Sequence, residues 1–191
     1  WYFRPLKLET LLNENKRETD LDRKKGTKSC IYAGSFNPPH SGHLYVIHEL
    51  CKYFDVVHIG IAQNPRKKQN SSEPSIESRK KLIQQCISSE NQAQIRIHRV
   101  EGYVWKFARN PDINAMFLAR GFRSFSVDFV SESSLYLLNI FGPILVAFQS
   151  PMRTVFVKAP ECLHDISSSL VRKRISNKFD ISQLVPQNCA N

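Results

Sequence analysis

Apolar positions along this chain fall into short runs, separated by longer segments in which they recur every three or four residues. From residue 29 onward the two patterns alternate. SCIYAG (29–34), DVVHIGIA (55–62), QIRIHRV (94–100), INAMFLARG (113–121) and RTVFVKA (153–159) have the length and apolar content of strands. SGHLYVIHELCKYF (41–54), SIESRKKLIQQCISS (75–89), YVWKFARN (103–110) and VDFVSESSLYLLNI (127–140) read as helices, and SSSLVRKRI (167–175) as a last short one. Ser75 stands at a plausible N-cap. Strands alternating with helices at this spacing predict βαβ units: a single-domain, Rossmann-like, doubly wound α/β fold with a five-stranded parallel sheet.

Residues 1–28 break the pattern. ETLLNENKRETDLDRKKGTK (9–28) is charged and weakly periodic. A short helix around Leu6–Leu12 fits the spacing, but a flexible extension fits the composition better. The predicted division is therefore a charged extension, 1–28, and one domain, 29–191. The chain opens at Trp1 without methionine, which reads as a piece of a longer protein.

Composition narrows the function. The 191 residues are 41% hydrophobic, enough for a real core. The longest apolar run, LYLLNIFGPILVAF (135–148), is interrupted at Gly142-Pro143 and is short of a membrane span. Buried core and no membrane partner are expected. The net charge of +10 fits nucleic acid, a membrane surface or anionic small molecules. No ribonucleoprotein motif or zinc-finger spacing accompanies the basic clusters at 23–25, 66–68 and 172–174, so no nucleic-acid partner is expected. Five scattered cysteines without a CxxC suggest free thiols in an intracellular, reducing compartment, cytoplasm or organelle matrix.

Parallel sheets of this kind bind ligands at the carboxyl ends of their strands. After the first strand, AGSFNPPHSGH (33–43) pairs a sharp turn at Gly34 with two stiffening prolines, and it delays helix entry to about Ser41. His43 then sits in the first helical turn, where free N–H groups and the helix dipole attract phosphate. His40 and His43 lack a third ligand and an HExxH frame, so no protein-held metal is expected. After the second strand, NPRKK (64–68) could set Lys67 over a phosphate. After the fourth, Arg120 and Arg123 flank Gly121 and offer forked donors, with Asp128 and Glu132 nearby. After the fifth, DISSSLVRKR (165–174) opens a helix with serine hydroxyls and unpaired N–H groups.

Taken in order, these segments resemble the HxGH nucleotidyltransferase superfamily, and most closely the bacterial-type pantetheine-phosphate adenylyltransferase family. GSFNPPHSGH resembles its first motif, IAQNPRKK its lysine loop, FLARGFR its RGxR segment and ISSSLVRKRI its terminal serine-rich helix start. The resemblance covers about residues 29–186. It implies transfer of the adenylyl group of ATP to 4′-phosphopantetheine with magnesium, giving 3′-dephospho-coenzyme A and pyrophosphate. By the same resemblance, His43, Lys67 and Arg123 carry the catalysis. Ser35, Phe36, His43, Gly121, Phe122, Arg123, Glu132, Leu163, His164, Asp165, Ile166, Ser167, Ser168 and Ser169 meet ATP. Ser35, Lys67, Val104 and Arg120 meet the acceptor.

Four departures from the family pattern stand out. His40 replaces a common threonine, and the segment after Arg123 is one residue longer. NIFGPILVAFQSPMR (139–153) lacks the usual Asn-Arg, which brings the relatives' hexamer into question. No aromatic precedes the serines of ECLHDISSS (161–169). Two other readings account for parts of the chain. Nicotinate- or nicotinamide-mononucleotide adenylyltransferases share both end motifs but not the middle of the chain. A non-catalytic basic nucleic-acid-binding or scaffold protein accounts for the charge but not for the ordered loops.

Overall fold

The structure is a computed structural model that describes residues 6–7, 27–62, 74–122, 144 and 152–186. Its strands are β1 (Leu6–Lys7), β2 (Ser29–Gly34), β3 (Val56–Ala62), β4 (Ile95–Val100), β5 (Phe117–Phe122) and β6 (Arg153–Lys158). Its helices are α1 (Ser41–Cys51), α2 (Ile76–Cys86), α3 (Val104–Ala108) and α4 (Ser168–Ser176). The five expected strands are all present and parallel. A two-residue strand at the N-terminus, Leu6–Lys7, pairs with β6 and extends the sheet to the order β1-β6-β5-β2-β3-β4. Those two residues are extended, not helical as a helix near Leu6–Leu12 would have them.

The strand order creates the site. From β2 the chain winds outward through β3 to β4. It then crosses back to β5, on the other side of β2. The switch point, where a doubly wound sheet opens a crevice, therefore lies between the carboxyl ends of β2 and β5.

Alternation along the strands builds a core on each face. Cys30 and Tyr32 of β2, Val57, Ile59 and Ile61 of β3, and Phe117 and Ala119 of β5 pack beneath Val46, Ile47 and Leu50 of α1 and Ile83 of α2. Ile31 and Leu118 turn the other way, onto Trp105 and Ala108 of α3. Gly60 is dictated by packing: a Cβ there would lie 2.6 Å from Val100 Cγ2 on the neighbouring strand. Gly121 is a second such position, its Cβ 2.8 Å from Val46 Cγ2, so β5 closes directly onto α1.

The structure refines two expectations and corrects a third. β5 begins at Phe117 rather than Ile113, because Asn114 has a φ of +43° and breaks the extended backbone. The N-cap at Ser75 is present, its hydroxyl accepting from Ser78 N at 3.1 Å. Cys30, Cys51 and Cys162 are free thiols as expected, whereas Cys86 is disulfide-bonded. Spacing along the chain carries no information about which cysteines meet in space. The expected helix at 127–140 lies outside the described residues. So does the apolar run 135–148 apart from Ile144, which is exposed.

Candidate active site

The loop between β2 and α1 is the centre of the crevice. The Asn37–Pro38 peptide is cis, and Phe36, Asn37, Pro39 and His40 are buried. The loop's carbonyls are held by distant elements. Arg79 Nη1 of α2 donates to Ser35 O at 2.8 Å, and Arg172 Nη1 of α4 donates to Asn37 O. Ser168 Oγ, at the start of α4, donates to Pro38 O at 2.8 Å. Past the loop, Ser41 N and Ser41 Oγ both donate to Leu184 O, at 2.9 and 3.0 Å. A segment that receives anions must turn its oxygens elsewhere, and these bonds do so for three of them.

The histidines stack where the loop enters the helix. His40 is the N-cap of α1, extended at φ −142° and ψ 169°, and makes no side-chain cap. Its ring lies 3.7 Å from that of His43, centroid to centroid. Gly42 leaves the room for this: a Cβ there would sit 3.1 Å from the His40 imidazole. His43 in turn packs 4.8 Å from the Phe36 ring and 6.5 Å from Tyr32. Tyr32 also reaches the other wall, its Oη 3.6 Å from where a Gly121 Cβ would be.

On the β5 side, Ala159 N donates to Phe122 O at 3.0 Å and the Phe122 and Phe156 rings meet edge to face. Strand alternation puts Arg120 on the opposite face from Gly121, the face covered by α3. Val104, the first residue of α3, packs against that same core. The segment 163–169 closes the crevice from the C-terminal side. His164 Nε2 donates to Ala159 O at 3.0 Å, Ile166 is buried, and Ser167 caps α4 by accepting from Leu170 N at 3.2 Å.

The structure thus gathers Ser35, Phe36, His43, Gly121, Phe122 and the 163–169 segment at one sheet edge, with Arg120 and Val104 on the α3 face. Lys67, Arg123 and Glu132 lie outside the described residues. Three tethers of the loop escaped sequence reasoning: Arg79, Arg172 and Leu184. Arg79 carried a signal, a charge in the apolar stripe Ile76–Ile83–Cys86 of an amphipathic helix. The other two had none, because their partners are more than a hundred residues away.

Among the described residues the two buried thiols supply no nucleophile. Burial pushes the Cys30 thiol up, and the Cys51 thiol up to about 11, so neither is a thiolate near neutral pH. His58 Nδ1 and His98 Nε2 lie 2.9 Å apart on the α3 face. Burial lowers both imidazoles, His58 to about 4 with the neighbouring His98 and Arg96 adding to the effect. Among the described residues no three His, Cys, Asp or Glu side chains converge as a metal site.

An open parallel sheet of this order, with a tethered loop and two helix starts at its switch point, defines a nucleotidyltransferase-type α/β protein. Residues 31–174 match the model of the cytidylyltransferase-like family, and the chain belongs to that family. Within it the chain falls among the phosphopantetheine adenylyltransferases. It is 32% identical to that enzyme of Finegoldia magna, over 83% of this chain and 89% of the relative. It is 31% identical to that of Campylobacter jejuni, over 83% and 92%. It is 30% identical to that of Streptococcus agalactiae, over 85% and 92%. A solved structure from Vibrio parahaemolyticus, assigned as a nicotinate-nucleotide adenylyltransferase, superposes with a TM-score of 0.55 at 18% identity. It covers 86% of this chain and 97% of its own, a likeness of fold.

Proposed function

We propose that this protein transfers the adenylyl group of ATP to 4′-phosphopantetheine, forming 3′-dephospho-coenzyme A and pyrophosphate. The observation that carries this reading is the match, at 30% identity or more over most of both chains, to phosphopantetheine adenylyltransferases. The tethered loop and His43 at the switch point support it.

In the reaction, an oxygen of the acceptor phosphate forms a bond to the α-phosphorus of ATP as the bond to the bridging oxygen breaks. Pyrophosphate leaves with that oxygen and the electron pair. A phosphate monoester is already ionised near neutral pH, so no side chain need remove a proton. Catalysis then rests on positioning and on donors aimed at the charge that develops. His43, in the first turn of α1, donates from its imidazole to the transferring adenylyl phosphate, with Lys67 and Arg123 as the cations of the reaction. Ser35 and Phe36 bracket the point of transfer. Gly121, Phe122, Glu132 and the 163–169 segment hold the nucleotide, and Arg120 and Val104 hold the acceptor. Magnesium, which favours carboxylates and phosphate oxygens, supplies charge neutralisation on the nucleotide when bound. In this reading it arrives on the ATP phosphates, whose oxygens it favours.

The test is pyrophosphate release by the purified chain with ATP, magnesium and a panel of acceptors. Turnover with phosphopantetheine and none with nicotinate or nicotinamide mononucleotide is expected, and the reverse pattern overturns the reading. Elution volume in size-exclusion chromatography will decide whether the active form is a hexamer.

A further inference from the structure

We propose that Arg79 is a positioning residue that holds the Ser35–Phe36 peptide in the orientation adenylyl transfer requires. The inference rests on the reaction proposed above. The observations are local. Arg79 sits on the buried stripe of α2 and is only 5% exposed, yet its guanidinium reaches the crevice loop and donates from Nη1 to Ser35 O at 2.8 Å. The next residue, Phe36, has a φ of +46°, a left-handed conformation that a bulky L-residue disfavours. Its ring is fully buried, edge-on to Tyr32 at 5.6 Å and against His43 at 4.8 Å. Its N–H donates to no group among the described residues.

These facts are linked by the geometry of one peptide unit. A trans peptide is planar, with C=O and N–H pointing in opposite directions. Fixing Ser35 O on Arg79 therefore fixes Phe36 N–H on the far side. Arg79 approaches from α2, which follows β3, so the far side faces β5 and the switch point. Rotation of this peptide by half a turn would take Phe36 from +46° to about −134°, an ordinary extended value. It would also aim the Ser35 carbonyl, an acceptor, at the site where a phosphate oxygen needs a donor. The relaxed backbone is thus the wrong one for an anion, and the Arg79 bond opposes it. A guanidinium on the carbonyl also polarises the peptide and strengthens its N–H as a donor.

The experiment compares full-length wild type, Arg79→Met and Arg79→Lys. For each, kcat, both KM values, the thermal midpoint and the rate ratio for the two diastereomers of ATP bearing sulfur at the α-phosphorus are measured. Loss of one donor to the reacting phosphoryl group lowers kcat by about 100-fold in Arg79→Met. The KM for phosphopantetheine should stay within about 3-fold, and the wild-type diastereomer preference should collapse to within about 2-fold. Arg79→Lys, which keeps a cationic donor, should recover about a tenth of wild-type kcat and part of the preference. The proposal is overturned if folded Arg79→Met keeps kcat within about 3-fold. It is equally overturned if activity falls only in step with the thermal midpoint while the diastereomer preference is unchanged. If Arg79→Met does not fold, the preference in Arg79→Lys decides: an unaltered ratio overturns the proposal and a reduced ratio upholds it. A wild type that releases no pyrophosphate with phosphopantetheine refutes the proposed reaction instead. In that event ATP affinity measured by calorimetry decides on Arg79, with at least 10-fold weakening expected in folded Arg79→Met or Arg79→Lys and equal affinity overturning the inference.

Discussion

Two of the described helices begin at the crevice, α1 at His40 and α4 at Ser167, and they begin differently. Their N-cap backbones are nearly the same, φ −142° and ψ 169° at His40, φ −144° and ψ 155° at Ser167. Ser167 accepts from its own helix at Leu170 N, whereas His40 makes no side-chain cap. In α1 the Ser41 N–H goes to Leu184 O and the His43 N–H to His40 O, which leaves the Gly42 N–H, without an acceptor among the described residues, and the helix dipole for something outside the helix. A capped first turn has already used a donor on itself, and α4 commits its next hydroxyl, Ser168, to the Pro38 carbonyl. The difference sets α1, whose cap side chain leaves its first turn alone, against α4, whose cap and next hydroxyl serve the helix and the loop in front of it.

The sharpest way to break this contrast is His43→Ala. If α1 is the end that meets the reacting phosphate, kcat falls by about 10²–10³-fold while the thermal midpoint shifts by only a few degrees. A pyrophosphate-release assay beside a melting curve reads both. An unchanged kcat removes the distinction between the two helices.

Next in size is Gly121→Val. A Cβ at Gly121 would lie 2.8 Å from Val46 Cγ2, so the branched side chain drives β5 away from α1. A loss of roughly 1–3 kcal/mol is expected in urea unfolding. Activity should fall further than stability alone explains, because α1 moves with its contact.

The His58–His98 pair offers a control remote from both helix starts. The folded pKa of His58 is lowered to about 4, mainly by burial, so the unfolded chain binds the extra proton first. Its contribution is complete above the ordinary imidazole pKa of about 6.5 and is lost as pH falls toward 4, a change of at most about 3 kcal/mol. His58→Gln should flatten unfolding free energy across that window and leave kcat at pH 7.5 within about 2-fold. A wild-type profile as flat as the variant's would refute this.

The smallest effects come from the caps. Ser167→Ala and Ser75→Ala each remove one bond to a helix N–H, and each should cost about 1 kcal/mol. Only Ser167→Ala should also raise the KM for ATP, by a few-fold. Equal kinetics in the two variants would mean that the α4 cap has no part in the crevice.

The five main strands and four of the helices were legible because their signal is local. β2 runs from Ser29 to Gly34, as its apolar run indicates, and Ser75 announces its helix by residue type. β5 starts later than its apolar run suggests because Ile113 and Ala115 serve the α3 core rather than the strand. Leu6–Lys7 was invisible for a related reason: two residues pairing with β6 leave no periodicity to read. In the site, the loop sequence announced the turn and His43, since prolines, glycines and a first-turn histidine carry their physics with them. The bonds that give the loop its shape were not legible. Arg172 to Asn37 and Ser41 to Leu184 join positions whose residue types say nothing of each other.

That long reach has a consequence for how the molecule comes into being. Ser41 is tied to a carbonyl 143 residues further along the chain, and Pro38 to a hydroxyl 130 residues on. On a ribosome, β2, α1 and β3 can pair soon after they emerge, but the loop between the first two stays unfinished. It acquires its final shape only when Ser168, Arg172 and Leu184 have been made and have docked. Synthesis that stops short of Leu184 therefore yields much of the sheet without a working crevice, and the crevice is the last part of the domain to mature.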